Sequence, residues 1–267
     1  MKARKFTKKM MDMILTPEMR VLPGQLAFFT VMSLIPVVAL TRLITTVIGI
    51  PLSDIVFAGI PEDVIKVVSS VSTTNQGFSI NLLVFLIFGF ILASNGAHSM
   101  IITSNEIYKI ECDSWLSRRT KALFMTLIIV ILLLFLLFVP VFGDQIFTIL
   151  KDSIKNKHAV IFIYNIYKLL KYPITIIIIY INIKLIYVIA PDKKIGASTT
   201  TPGALFTTLG WIVVSELYSV YTTYFMNYSL FYGSISSILV LLIWVYLLAY
   251  IFSLGMIVNA TKAFSKE

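Results

Sequence analysis

Of 267 residues, 58% are hydrophobic and only 13% charged, about half the usual charged share of a soluble domain, and the mean hydropathy is +0.92. Such a chain cannot build a water-compatible surface around one core, which excludes an ordinary soluble enzyme or binding module. The net charge of +9 comes without a basic patch interleaved with stacking aromatics, so it signals membrane topology and attraction to anionic headgroups rather than a nucleic-acid surface.

The chain opens on a lysine-rich arm in which Phe6, Met10, Met13 and Ile14 recur at helical spacing. This pattern predicts an amphipathic anchor helix lying in the membrane interface, not a signal peptide, because the apolar run that follows is too long and no small-residue cleavage site ends it. Six apolar runs then meet the length needed to cross roughly 30 Å of hydrocarbon: Gly24 to Ile50, Phe78 to Ile102, Ala122 to Phe142, Tyr172 to Ala190, Gly203 to Met226, and Gly233 to Ala260. The last is the clearest, since Ser234 to Thr261 contains no charged side chain. Only helices satisfy every backbone group within such runs, and the alternating pattern of a membrane barrel is absent. The expected fold is therefore an all-α integral membrane protein: one domain over 1–267 with six transmembrane helices.

Two connections on the outer side also carry helical stripes. Leu52, Ile55, Val56, Ile60, Val64, Val67, Val68 and Val71 form the first, broken at Pro61, and Ile146, Ile149, Leu150, Ile154, Ile163, Ile166, Tyr167 and Leu170 the second. These predict amphipathic helices in two external loops, capping the bundle or lying among outer headgroups. Fourteen lysines and arginines flank the spans on the terminal side and six on the other. The positive-inside rule then places both termini in the cytoplasm of a bacterial inner membrane.

Catalytic constellations are missing from the sequence. Only His98 and His158 are available as imidazoles, on opposite sides of the predicted membrane, and no HExxH, CxxC, Walker or GxSxG pattern occurs. The single cysteine, Cys112, can form neither an intramolecular disulfide nor a cysteine metal site. No catalytic residue, metal or cofactor is expected.

The remaining candidates are polar groups inside spans: Arg42, Asn95, His98, Asn182, Lys184 and Glu216. A charge at mid-bilayer costs roughly 2.5–3.5 kcal/mol, so each should face protein, water or a partner. Arg42 and Lys184 either snorkel or pair, and Arg42 falls at a depth from which its side chain can cover most of the distance to Glu216. Glu216, short and near the middle, reads as either a structural ion pair or a transport site. His98 lies in a helix contact in which Gly89, Ala93 and Ala97 recur every fourth residue, a spacing that lets helices approach closely. Asn95 and Asn105 either bond between helices or line a polar cavity. Tyr218, Tyr221, Tyr224, Tyr228 and Tyr232 read as an interfacial aromatic belt.

The C-terminal third carries a denser pattern: Pro202, Gly203 and Ala204 at a helix start, Tyr232 and Gly233 before the last span, Trp244 and Tyr246 within it, and Leu254, Gly255, Asn259 and Ala260 at its end. With LAFFTVMSLIP up to Pro36 and LIYVIAP before residue 192, this resembles the YihY/BrkB family of bacterial inner-membrane proteins, once labelled ribonuclease BN. Relatives usually carry an acidic residue two positions after that last glycine, where this chain has Ile257. The resemblance implies a multi-pass protein linked to serum resistance and to movement of lipids or small metabolites. The expected function is transport or lipid translocation, with membrane lipids and an unidentified small-molecule or lipid substrate as partners, no nucleic acid, and homo-oligomerisation allowed. A non-transporting scaffold is the alternative, and a membrane-embedded hydrolase a further one, disfavoured by the missing ligands.

Overall fold

In the computed structural model, residues 2–47, 80–111, 114–131, 157–225 and 234–265 are described. They form seven helices and, among the described residues, no strand. The helices are α1 (Lys2–Ile14), α2 (Glu18–Val47), α3 (Ile80–Tyr108), α4 (115–131), α5 (Lys157–Ile189), α6 (Ala197–Phe225) and α7 (Ser234–Phe264). Four stretches are long and apolar enough to cross a membrane, Ile87–Tyr108, Leu169–Ile189, Ala197–Tyr221 and Leu239–Phe264, in a search confined to the described residues. The first external stripe, at 52–71, and the Arg42 side chain lie outside the described residues.

Two boundaries depart from the sequence expectation. The second external stripe is not a separate helix from Lys157 onward, because α5 runs unbroken through Pro173 to Ile189. At about 1.5 Å per residue it is about 50 Å long, well beyond one hydrocarbon thickness. Likewise α6 starts at Ala197, six residues before the expected span.

Packing places α7 centrally, against α1, α2, α3 and α6, with α2 also on α3 and α5 on α6. Leu26, Ile101, Met125, Ile183, Phe252 and Met256 form its buried core. Since lipid is as apolar as these side chains, their contribution is close packing rather than water exclusion. The stripe Gly89, Ala93 and Ala97 is buried as expected, and a Cβ on neighbouring Gly96 would meet Ser33 Oγ of α2 at 2.9 Å.

The anchor helix is docked on protein. Met10, Met13 and Ile14 pack on the core, and Met13 Sδ lies 3.6 Å from the Thr261 hydroxyl of α7. Lys9 Nζ donates to Phe264 O at 3.3 Å and sits 5.0 Å from the Phe264 ring, a cation placed at the negative end of α7. The described side chains of this apolar face thus pack on the protein core.

Candidate functional site

The chemistry gathers at one end of the bundle, where α3 and α5 end and α4 and α6 begin; the lysines make it the basic end. Helix α3 stops in a Schellman arrangement: Ile110 N–H reaches Asn105 O at 2.9 Å, and Lys109 N–H reaches Glu106 O at 3.1 Å. Lys109 takes the left-handed position at φ 53°.

Asn105 is fully buried one turn earlier and reads Asp192 with both ends of its amide. Its Nδ2 donates to Asp192 Oδ2 at 2.5 Å, and its Oδ1 accepts from Asp192 N–H at 2.9 Å. Lys121 of α4 donates to Asp192 Oδ1 at 2.6 Å and to the carbonyls of Ala190 and Pro191 at 2.8 and 2.7 Å. One ammonium therefore neutralises a nearly buried carboxylate and caps the last carbonyls of α5, locking three segments together. Sequence reasoning raised Asn105 but missed Lys121 and Asp192 as a pair.

The family-motif residues form a second assembly, the crossing of α6 and α7. A Cβ on Gly203 would strike Gly255 O and the Asn259 amide, and one on Gly255 would strike Thr207 Oγ1 and Tyr187 OH. The glycines are there because backbone meets backbone. Asn259 Oδ1 accepts Gly203 N–H at 2.7 Å, and Trp211 Nε1 donates to Leu248 O at 2.9 Å. Tyr187 of α5 seals the crossing: its hydroxyl bonds Thr207 Oγ1 at 2.6 Å and donates to Phe252 O at 2.7 Å. Ile257 is buried in the core. Pro202 lies inside α6, Trp244 stacks on Tyr218 at 5.1 Å, and exposed Tyr246 stacks on Tyr250 at 6.2 Å. The Pro36 side chain, Tyr232 and Gly233 lie outside the described residues.

The predicted intramembrane polar residues do not converge on one point. Asn95 accepts from Arg119 Nη1 of α4 at 2.8 Å, while Arg119 Nη2 donates to Ile91 O at 3.1 Å. Asn182 Nδ2 donates to Ile178 O of its own helix at 2.8 Å, and Lys184 Nζ lies 5.7 Å from the Tyr180 ring centroid. Glu216 is exposed on the flank of α6. Because α6 begins at Ala197, Glu216 lies about 28 Å along it, past the midpoint of the Ala197–Tyr221 span rather than near it.

A different feature stands out on α3. Other helix hydroxyls fold back: Thr30, Ser94, Thr126, Thr208, Ser253 and Thr261 each donate to a carbonyl three or four residues earlier. Ser99, Thr103 and Ser104 are just as buried and do not. Their hydroxyls, with Tyr108 OH and His98 Nδ1, have no hydrogen-bond partner among the described residues. Ser99 and Thr103 stack one turn apart, as do Ser104 and Tyr108.

One cavity reaches the end of α3 at Tyr108, and a groove lies apart from it on α6 and α7. The cavity, of about 260 Å³ at the basic end, is lined by Tyr108, Ile110, Lys193, Lys194, Ile195, Gly196, Thr199, Ala263 and Phe264. The groove, apolar and of about 280 Å³, lies farther along α6 and α7, with Leu217, Tyr218, Tyr221, Ile243 and Trp244 among its walls.

The family model described as Virulence factor BrkB matches residues 13–266. The chain belongs to the BrkB family. It is 33% identical over 247 residues, 89% of this chain and 87% of the relative, to a ribonuclease-like protein, YfkH, of Bacillus subtilis (strain 168). Shorter similarities join it to UPF0761 membrane proteins: 28% identity over 80 residues with one from Pseudoalteromonas translucida (30% of this chain, 25% of the relative), and 35% over 75 residues with one from Vibrio atlanticus (28% and 24%). No solved structure matches. The BrkB-family crossing of α6 and α7 is thus where the C-terminal motif acquires its physical meaning.

Proposed function

We propose that this BrkB-family membrane protein is a transporter for an amphiphile, a lipid or lipid-like molecule, embedded in the bacterial inner membrane with its basic end in the cytoplasm. The observation that carries the reading is the set of buried hydroxyls on α3 that have no partner among the described residues. Each buried polar group without a partner costs about 1–3 kcal/mol, and lipid offers it nothing. A bundle that retains several of them beside buried hydroxyls that fold back on their own helices is arranged to receive water or a polar cargo. The apolar groove between α6 and α7, on the membrane-spanning stretch, supplies a complementary surface for an acyl chain.

A scaffold needs no such polar interior and fits less well. A hydrolase, suggested by the name of the Bacillus relative, finds little support: among the described residues no three His, Cys, Asp or Glu side chains gather, and His98 has no carboxylate partner to orient it.

The test is leaflet exchange in proteoliposomes carrying a fluorescent nitrobenzoxadiazole-labelled phosphatidylglycerol. Dithionite should quench beyond the outer-leaflet half with the wild-type chain and markedly less with Ser104→Val combined with Tyr108→Phe. Quenching identical to protein-free vesicles overturns the reading for lipid cargo.

A further inference from the structure

The 260 Å³ cavity at the basic end has an electrostatic imbalance. Lys193 and Lys194 line it, both exposed, and neither pairs with a carboxylate among the described residues. Asp192, the adjacent acid, is already consumed by Lys121 and Asn105. The two lysines precede the first turn of α6, a 29-residue helix with no acidic residue in that turn. A helix start carries partial positive charge and unsatisfied N–H groups, so two further cations beside it repel it unless an anion intervenes. Lys262 brings a further cation to the same turn, its Nζ donating to Ser198 O at 2.9 Å and tying α7 to the start of α6.

An independent observation points the same way. Tyr108 lines the cavity, is only 5% exposed, and its hydroxyl lacks a partner among the described residues. A buried phenol with an unused O–H is a donor in want of an acceptor. Gly196 and Thr199 add a side-chain-free approach and a second hydroxyl. Together these are two ammonium groups, a helix N-terminus and hydroxyl donors, with no lining carboxylate. Backbone N–H groups with lysines as point charges are a combination suited to phosphate oxygens.

We propose that this cavity binds a phosphate group, recognised by Lys193, Lys194, the first turn of α6 and the phenol of Tyr108. Its position at the basic end of the bundle, level with the ends of the spanning helices, suits either a phospholipid headgroup or a free phosphate. The proposal rests on the transport reading only in giving the bound group to a cargo, since binding is measured without movement across a bilayer.

The experiment uses the full chain in a neutral maltoside detergent, with binding followed by thermophoresis. One probe is inorganic phosphate against chloride at equal ionic strength, and the other is dioctanoyl phosphatidic acid against dioctanoylglycerol. At least one probe should bind saturably. Lys193→Gln combined with Lys194→Gln, at exposed positions that leave the fold intact, should weaken it at least tenfold, and Tyr108→Phe about threefold or more. Binding of both probes, or of phosphate alone, identifies a general phosphate site. Binding of the lipid alone identifies a headgroup site. Failure of both probes, or variants that bind like the wild type, overturns the proposal even if leaflet exchange is observed.

Discussion

Replacing Gly203 by alanine inserts one methyl group where α6 and α7 touch backbone to backbone. The new Cβ would overlap Gly255 O and reach 2.5 Å from Asn259 Cγ and Nδ2, so the helices must separate or Asn259 must swing away. Overpacking of this kind costs about 1–3 kcal/mol, and losing the buried Gly203 N–H bond to Asn259 adds about 1 kcal/mol. The total of about 2–4 kcal/mol corresponds to a fall of about 4–16 °C in melting temperature for a chain of this size. The chain carries its own control. Nothing lies within 4 Å of a Cβ added to Gly24, so Gly24→Ala should leave the melting point unchanged or raise it through helix propensity. Both variants can be compared by fluorescence-detected size-exclusion after heating in detergent. Equal melting of Gly203→Ala and Gly24→Ala would refute the claim that the C-terminal motif exists to bring the two backbones together.

Lys121→Ala strands the nearly buried Asp192 and uncaps α5, and should cost on the order of 2–4 kcal/mol by chemical denaturation; adding Asp192→Asn should recover part of the loss, because the uncompensated charge is then gone. Tyr187→Phe should cost about 1–3 kcal/mol by leaving Thr207 and Phe252 O under-satisfied at the crossing, whereas the same change at exposed Tyr246 should be silent in the same melt. Lys109→Gly should stabilise by about 1 kcal/mol, since glycine adopts the left-handed position without the Cβ penalty. For orientation, in a Cys112→Ser chain, Ser265→Cys should be protected from an impermeant thiol reagent in intact cells and Thr73→Cys should react; the reverse pattern inverts the topology.

The four spans found among the described residues were legible because a charge-free run such as Ser234 to Thr261 has no soluble alternative. Their ends were less so. Hydropathy marks where the hydrocarbon stops, whereas a helix stops where its hydrogen bonds do, so Ser198 to Thr201 extend α6 outward from the expected start and Lys168 and Lys171 lie within α5 rather than ending a loop. That shift also moved Glu216 away from mid-span. The motif glycines were visible as a pattern, yet the reason for Gly203 and Gly255 lies in a contact between residues 52 positions apart. Asn105 and Asp192 are separated by 87 positions, and no periodicity connects them. The unpartnered hydroxyls were the least legible, because Ser104 and Ser253 look alike in sequence and differ only in whether the hydroxyl folds back on its helix.

That difference gives the most direct measurement of the central claim. Ser104 and Ser253 are both fully buried, but only Ser253 bonds its own helix, to Ala249 O at 3.0 Å. In a Cys112→Ser chain in native membranes, Ser104→Cys and Ser253→Cys can be challenged with a small water-soluble methanethiosulfonate reagent. The account predicts that the thiol at 104 reacts, because water or polar cargo reaches that part of α3, and that the thiol at 253 stays protected. Equal protection of both positions would contradict a polar interior and leave this chain a closed bundle.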